Sequence, residues 1–295
     1  MSASLSVVIV NFNAGEHLER CLESLEEHLR DVSWDAVVID NQSTDGSDRF
    51  VGRFAPRVSL ARQPVNLGFG RAINLGVAST AGDPVLFLNP DSRLQRGAIE
   101  GMRAELEAHA ECAIVGPGVL NDDGSPQGSA RGDPDMLTGL FGRSTWLTRW
   151  FPGVAIARRN VLTPQEPNAG EGSVEVDWVS GACMLVRRGA FDQVGGFDPR
   201  YFLYWEDADL CRRLRAAGYR TRYCPRAHVA HTMGRSSRTA RTLAIRAFHR
   251  SAYLYYVSHV ASSPWNPVRW AAFVLLQVRC WWKLAASALG SQRDE

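Results

Sequence analysis

The chain has 295 residues, 45% hydrophobic and 22% charged, enough for one large domain or two small ones. Its formal net charge of +2 gives no argument for a nucleic-acid partner. Six cysteines without a C-x-x-C pair exclude a thiolate zinc motif, argue against a disulfide framework and point to a reducing cytosol, and no signal peptide is expected at the start.

Leu5–Val10 is a short, β-branched apolar run of the kind found in strands covered on both faces. Leu18, Cys21, Leu22, Leu25 and Leu29 follow at helical spacing, and Ala36–Ile39 reads as a second buried strand. A helix over about 71–79, a strand over Pro84–Leu88, a helix over about 97–108 and a strand near Ala113–Val115 continue the alternation. The pattern predicts an α/β domain with a parallel sheet flanked by helices, and a ligand site at the carboxyl ends of its strands. Polar residues gather there: Asn11 and Asn13 after the first strand, Asp40–Gly46 after the second, and Asn89 and Asp91 after the Pro84 strand. Any one of these loops reads equally well as a turn, and Asp45 reads better as one; three together point to a binding site. Asn66, Gly68 and Arg71 lie in a glycine-containing segment that lacks the G-x-G-x-x-G order, so a tight turn bringing Arg71 near a phosphate is expected there. The Gly-, Pro- and Ser-containing stretch over 121–175 reads as a variable region, with order resuming at Val176–Val186.

Tyr204, Trp205, Glu206, Asp207 and Asp209 form the densest acidic cluster beside aromatic rings, at the start of a predicted helix. Acids in a first turn complement the helix dipole. The crowding aromatics add desolvation, which raises a carboxyl pKa, as a general base for a hydroxyl requires; Asp207 is the expected base, with Glu206 and Asp209 as helpers or structural groups. A strand over Thr221–Cys224 leads to His228 and His231, which do not form the H-E-x-x-H zinc motif. His231 is the candidate partner of Asp91 on a metal-bound diphosphate, with Arg235 and Ser236 in reach of phosphate oxygens. After Arg238 the chain turns basic and aromatic. Over Val268–Leu289 it is apolar but interrupted by Arg269, Arg279 and Lys283, which rules out a membrane span. On a helix these three cations fall on one side, and Trp270, Val274, Val278 and Trp281 on the other. That pattern suits a helix in a membrane interface, or one packed on the domain or on a second subunit of a homodimer.

The stretches Val7–Asn13, Val38–Ser47, Asn66–Asn74, Leu88–Asp91, Trp178–Arg187, Gly195–Asp198, Trp205–Leu210 and His231, in this order, resemble the family 2 glycosyltransferases, and within them bacterial rhamnosyltransferases acting on lipid-linked acceptors. The resemblance implies a GT-A fold over about 1–237, with a nucleotide-binding half over about 1–118, an acceptor half over about 119–237 and a helical, membrane-associating region over 238–295. It implies inverting, metal-dependent transfer from a nucleotide-diphospho-sugar, dTDP-L-rhamnose, to a polyprenyl-diphosphate-linked glycan on the inner face of the cell membrane. The implied donor residues are Asn11, Asn13, Asp40 at the nucleoside, Asn66, Gly68, Arg71, Asn89, Asp91 and Trp178. Asp91 and His231 would hold Mg²⁺ or Mn²⁺, Asp207 would be the base, and Tyr204, Trp205 and Asp209 would meet the acceptor. The family's Asp-x-Asp motif reads Asn89-Pro90-Asp91, so its first acid is missing. A nucleotidyltransferase would need a basic phosphate loop near the N-terminus, which Asn11–Glu16 lacks; an inactive carbohydrate-binding homologue is the other alternative.

Overall fold

The computed structural model describes residues 4–133, 172–232 and 241–291; Arg235 and Ser236 and most of the 121–175 stretch lie outside these. Leu5–Asn11 forms β1, buried along its whole length, and α1 (Glu16–His28) returns along the sheet to β2 (Trp34–Asp40). A 3₁₀ segment (Ser47–Phe54), β3 (Val58–Arg62), α2 (Phe69–Ala78) and β4 (Val85–Leu88) follow. Then come β5 (Ser92–Leu94), α3 (Ala98–Ala108), β6 (Cys112–Leu120), β7 (Pro126–Gln127) and β8 (Ala130–Arg131). After these come β9 (Val174–Val176), β10 (Trp178–Val179), β11 (Cys183–Val186), α4 (Arg188–Gln193), α5 (Glu206–Ala216) and β12 (Arg220–His231). Two helices close the described chain, α6 (Arg241–His259) and α7 (Pro267–Ser291).

The main sheet has the order β3-β2-β1-β4-β11-β6-β12-β5, with β7 on β6 and β9 on β12. β1, β2, β3 and β4 are parallel to one another, and β6 and β12 run the same way; β11, inserted between β4 and β6, is antiparallel to both. The sheet is thus mixed but mostly parallel. β1 shows why its sequence is uniformly apolar. Val7 and Ile9 pack into the layer with Leu18, Leu22 and Met102 of α1 and α3, while Val8 and Val10 point into the opposite layer with Ile73, Phe191 and Leu210. All six cysteines are buried free thiols.

The structure departs from the sequence expectation in three places. β12 is twelve residues long, not four, and carries His228 and His231 within it. Pro225 falls where the β6–β12 register shifts, and a strand interrupted by such an irregularity reads as ended. The helix expected over 71–79 begins at Phe69. β3 and β5 were not anticipated because both are short and interrupted by exposed polar residues: Ser59 and Arg62 in β3, Arg93 in β5.

The pairs Tyr253–Phe273 and Phe248–Arg279 run in opposite order along α6 and α7, so the two helices pack antiparallel. α7 buries Ala272, Leu276 and Cys280, and its cations lie on that partly buried side. Trp270, Val274, Leu275, Val278, Trp281 and Trp282 face outward. Among the described residues no helix is long and apolar enough to cross a membrane.

Candidate active site

The carboxyl ends of β1, β2 and β4 deliver one loop cluster. Asn11, fully buried, donates its amide N–H to Asp40 Oδ1 (2.7 Å) and to the hydroxyls of Ser43 (3.1 Å) and Ser47 (2.9 Å). Asp40 is buried as well, and its Oδ2 accepts the Ser43 backbone N–H at 3.1 Å. Asn13, with a left-handed φ of 51°, accepts the Thr44 N–H at 2.8 Å. Asp45 is the turn-forming acid that its sequence suggested. Burial pushes its carboxyl up, but hydrogen bonds from the Ser47 hydroxyl and from the Ser47 and Gly15 backbone outweigh this and hold it below the usual value. Asn11 therefore shapes the Asp40 loop from beneath.

The glycine segment is built on close approach. Gly68 has φ +82°, and a Cβ there would lie 2.3 Å from the Phe202 carbonyl oxygen, which accepts the Phe69 N–H at 2.9 Å. Asn66 Oδ1 accepts the Gly68 N–H at 2.9 Å. Arg71, exposed on the first turn of α2, donates Nε to the Pro199 carbonyl at 2.8 Å. The Phe69 and Arg71 bonds fasten the 66–71 loop to the 197–205 segment that leads into α5.

The antiparallel pairing of β12 with β5 sets His231 opposite Ser92, and so brings together Asp91 and His231, the two residues singled out as metal ligands. His231 Nε2 stands 3.3 Å from Asp91 Oδ1. Gln127, on β7, fixes the ring. Its amide nitrogen donates to the His231 carbonyl (2.7 Å) and to Asn121 Oδ1 (2.8 Å), which turns its oxygen toward His231 Nδ1 at 3.0 Å. With Nδ1 engaged by Gln127, Nε2 is the ring nitrogen that faces Asp91. Two ligands on one ion at about 2.1 Å and a right angle stand about 3 Å apart, so the pair fits a divalent cation. The Gln127–His231 contact is the outer-shell support that such a ligand needs. Among the described residues no third His, Cys, Asp or Glu joins them, which suits an ion that completes its shell with phosphate and water. Gln127 had no sequence signal, since its partner lies 104 residues away.

Beyond the Asp91 loop, Asn89 N–H donates to the Ala182 carbonyl (3.0 Å), while Gly181 N–H donates to Asp207 Oδ2 (3.1 Å). Two consecutive residues of the β10–β11 connection thus tie the Asp91 loop to Asp207. Tyr204 and Trp205 both adopt left-handed φ, 68° and 69°, a strained pair immediately before α5. Glu206 is a carboxyl raised by its surroundings. Burial, and then the charge of Asp207, push Glu206 up to about 8, and its buried Oε2 has no hydrogen-bond partner. Asp209, expected at the acceptor, is 1% exposed, with its oxygens on Arg213 Nε (2.7 Å) and His259 Nε2 (2.6 Å). His259, which no motif marked, anchors α6 to α5 through it. Trp178 donates its indole N–H to the Gly132 carbonyl (2.9 Å) and stacks under Arg131.

The model of glycosyl transferase family 2 matches residues 6–195, which include Asn11, Asp40, Gly68, Arg71, Asp91 and Gly181 and stop before Tyr204–Asp209 and His231. The chain belongs to glycosyltransferase family 2. A second model, glycosyl transferase family group 2, matches residues 134–291. This glycosyltransferase is 34% identical over 313 residues to the N-acetylglucosaminyl-diphospho-decaprenol L-rhamnosyltransferase of Mycobacterium tuberculosis, covering 99% of this chain and 97% of that one. It is also 44% identical over 80 residues to the rhamnosyltransferase WbbL of Escherichia coli, covering 27% of this chain and 30% of that one. Its GT-A fold is shared with GalNAc-T7 crystallised with UDP, GalNAc and Mn²⁺, at a TM-score of 0.63 and 18% identity over 90% of this chain and 52% of that one. A mannosyltransferase from Pyrobaculum calidifontis in complex with GDP-Man and Mn²⁺ superposes with a TM-score of 0.57 and 17% identity over 98% of this chain and 76% of that one.

Proposed function

We propose that this glycosyltransferase moves L-rhamnose from dTDP-L-rhamnose to a hydroxyl of a polyprenyl-diphosphate-linked N-acetylglucosamine, with inversion, at the cytoplasmic face of the cell membrane. The observation that carries the reading is the Asp91–His231 pair, tied through Gly181 and Ala182 to the Asp207 carboxylate. The mycobacterial relative, whose name states both the sugar and the lipid-linked acceptor, supports the choice of substrates.

In this reading Asp207 takes the proton of the acceptor hydroxyl, the hydroxyl oxygen bonds to the anomeric carbon, and the bond from that carbon to the diphosphate breaks. The Gly181 N–H aims the carboxylate, and the burial of Glu206 leaves Asp207 as the base. Mg²⁺ or Mn²⁺ held by Asp91 and His231 would supply electrostatic stabilisation of the departing diphosphate. Arg71, at the N-terminus of α2, adds charge of the same sign. Asp40 and the 11–13 loop hold the nucleoside, with Asn66, Gly68, Asn89 and Trp178 around the donor. Tyr204 and Trp205 form the acceptor wall. The outward face of α7, with Trp270, Trp281 and Trp282 each at least 64% exposed, rests on the membrane.

Purified protein given Mg²⁺ or Mn²⁺, a panel of nucleotide sugars and a short-chain lipid-diphosphate-N-acetylglucosamine tests this. The expected result is acceptor-dependent release of dTDP from dTDP-L-rhamnose alone. In Asp207→Asn turnover should fall about 10²–10⁴-fold with donor binding kept. Equal loss of donor affinity in that variant would remove the base assignment, and turnover of a different donor would remove the rhamnosyl one.

A further inference from the structure

We propose that His259 is a positioning residue for the transfer: with Ser251 and Tyr255 of α6, it holds the Tyr204–Trp205 turn in the shape that aims Asp207. The proposal rests on the reading of Asp207 as the base. Phe248, Ser251, Tyr255 and His259 follow one another along α6 at intervals of three, four and four residues. At about 100° per residue they fall within about 80° of arc, so one face of the helix carries all four.

That face meets the chain on both sides of Asp207. Phe248 packs against Tyr204 (5.8 Å) and Trp205 (5.9 Å). Ser251 Oγ donates to the Leu203 carbonyl (3.0 Å), and the Tyr255 ring lies 5.3 Å from that of Trp205. One turn further along, the His259 ring lies 4.8 Å from that of Tyr255, and its Nε2 stands 2.6 Å from Asp209 Oδ1. Arg212 of α5 closes the contact from the other direction, donating to the His259 carbonyl (3.0 Å) and to the Tyr255 hydroxyl (3.4 Å). Leu203, Tyr204, Trp205 and Asp209 are thus each touched by α6, and the last two flank Asp207 at equal distance in the chain.

These contacts have a task that holding α6 in place does not require. Tyr204 and Trp205 both keep a left-handed φ, a conformation that persists in such residues only where the surroundings enforce it. Asp209, on the first turn of α5, donates its backbone N–H to the Trp205 carbonyl (2.9 Å), so the residue beside His259 itself closes the turn. The Asp207 side chain is met from the opposite side by the Gly181 N–H at Oδ2. Gly181 therefore fixes the carboxylate, while α6 fixes the backbone that carries it. Loosening the second lets Asp207 drift, whereas the Asp40 loop and the Asp91–His231 pair rest on strands of the main sheet and stay in place. Displacing a reacting group by about 1 Å costs on the order of 100-fold in rate.

The test uses the full-length protein in detergent, so that attachment to a membrane is not read, with a panel of nucleotide sugars that includes dTDP-L-rhamnose, Mn²⁺ and a short-chain lipid-diphosphate-N-acetylglucosamine. His259→Ala should lower kcat about 10–100-fold, with the donor KM and the affinity for dTDP and Mn²⁺ kept within about twofold. His259→Gln, which returns an N–H near the place of Nε2, should recover most of kcat. Ser251→Ala is a smaller change and should lower kcat about 3–10-fold with the same split; it decides the question if His259→Ala does not fold. Amide exchange, read without substrate, should quicken over 203–209 in both variants. Leu106→Ala opens a cavity in the core beneath α3, and should lower the melting temperature without changing kcat. Unchanged kcat in His259→Ala, glutamine no better than alanine, or nucleotide affinity lost in step with kcat overturns the proposal, and so does an equal loss of kcat in Leu106→Ala. The failures of the two readings are distinct. A protein that moves a different sugar, with the same loss of kcat and the same exchange at 203–209, refutes the rhamnosyl reading and keeps the positioning role. One that moves rhamnose with kcat unchanged in His259→Ala does the reverse.

Discussion

Glu206→Gln is the most informative single substitution. Glu206 opens α5, is 5% exposed, and keeps one oxygen buried without a partner. Burial and the neighbouring Asp207 move its carboxyl from 4.5 to about 8. The unfolded chain loses this proton near 4.5, whereas the folded chain holds it to about 8. Between those values the native state binds more protons than the unfolded one, so folding stability falls as pH rises; below 4.5 the group has no effect, and above 8 its cost is constant. At about 1.4 kcal/mol for each pH unit, the ceiling of that cost is about 5 kcal/mol, and relaxation of the site brings it to a few. Glutamine keeps the shape and removes the titration. The wild type and the variant should therefore melt within a few degrees of each other at pH 5, and the variant should be the more stable at pH 8, by roughly 5 °C or more for a domain of this size. Thermal unfolding at pH 5, 6.5 and 8 reads this directly. Parallel pH profiles for the two proteins would refute the burial argument.

Gln127→Leu should leave the fold intact and weaken Mn²⁺ binding in the presence of dTDP by about 10–100-fold, measured by titration of the free ion, because His231 loses the partner that holds its ring. Gly68→Ala should cost about 2 kcal/mol or more in urea unfolding, since its Cβ would meet the Phe202 carbonyl at 2.3 Å with φ fixed at +82°. Replacing Trp270, Trp281 and Trp282 together by Ser should abolish flotation with vesicles containing anionic lipid while leaving donor hydrolysis unchanged. Retained flotation, or a monomer replacing a dimer in sedimentation, would assign this face to a second copy of the chain instead.

The strands buried on both faces were legible because burial on both sides leaves no room for polar residues: β1, β2 and β4 announce themselves as unbroken apolar runs. β12 did not, since Pro225 and the shifted register interrupt its pattern at the point where it carries His231 toward Asp91. The site's main carboxylates stood out for a related reason: Asp40, Asp91 and Asp207 follow apolar runs or open an amphipathic helix, where local chemistry suffices to place them. What local pattern could not supply was the partnership between distant residues. Nothing near Gln127 names His231, nothing near His259 names Asp209, and the isolation of Glu206 beside the more accessible Asp207 depends on how the surrounding elements enclose it.

The insertion of β11 between β4 and β6 has a consequence for how such enzymes can diversify. The strand comes from late in the chain, yet both of its neighbours lie within the first 120 residues, and β12 extends the same sheet from β6. A chimera spliced near residue 118 would have to match β11 and β12 from one parent to β4 and β6 from the other, along two seams at once. Recombination at that point is thereby discouraged, and change is accommodated more readily in what lies outside the sheet: the 197–205 loop and the α6–α7 hairpin that packs against it.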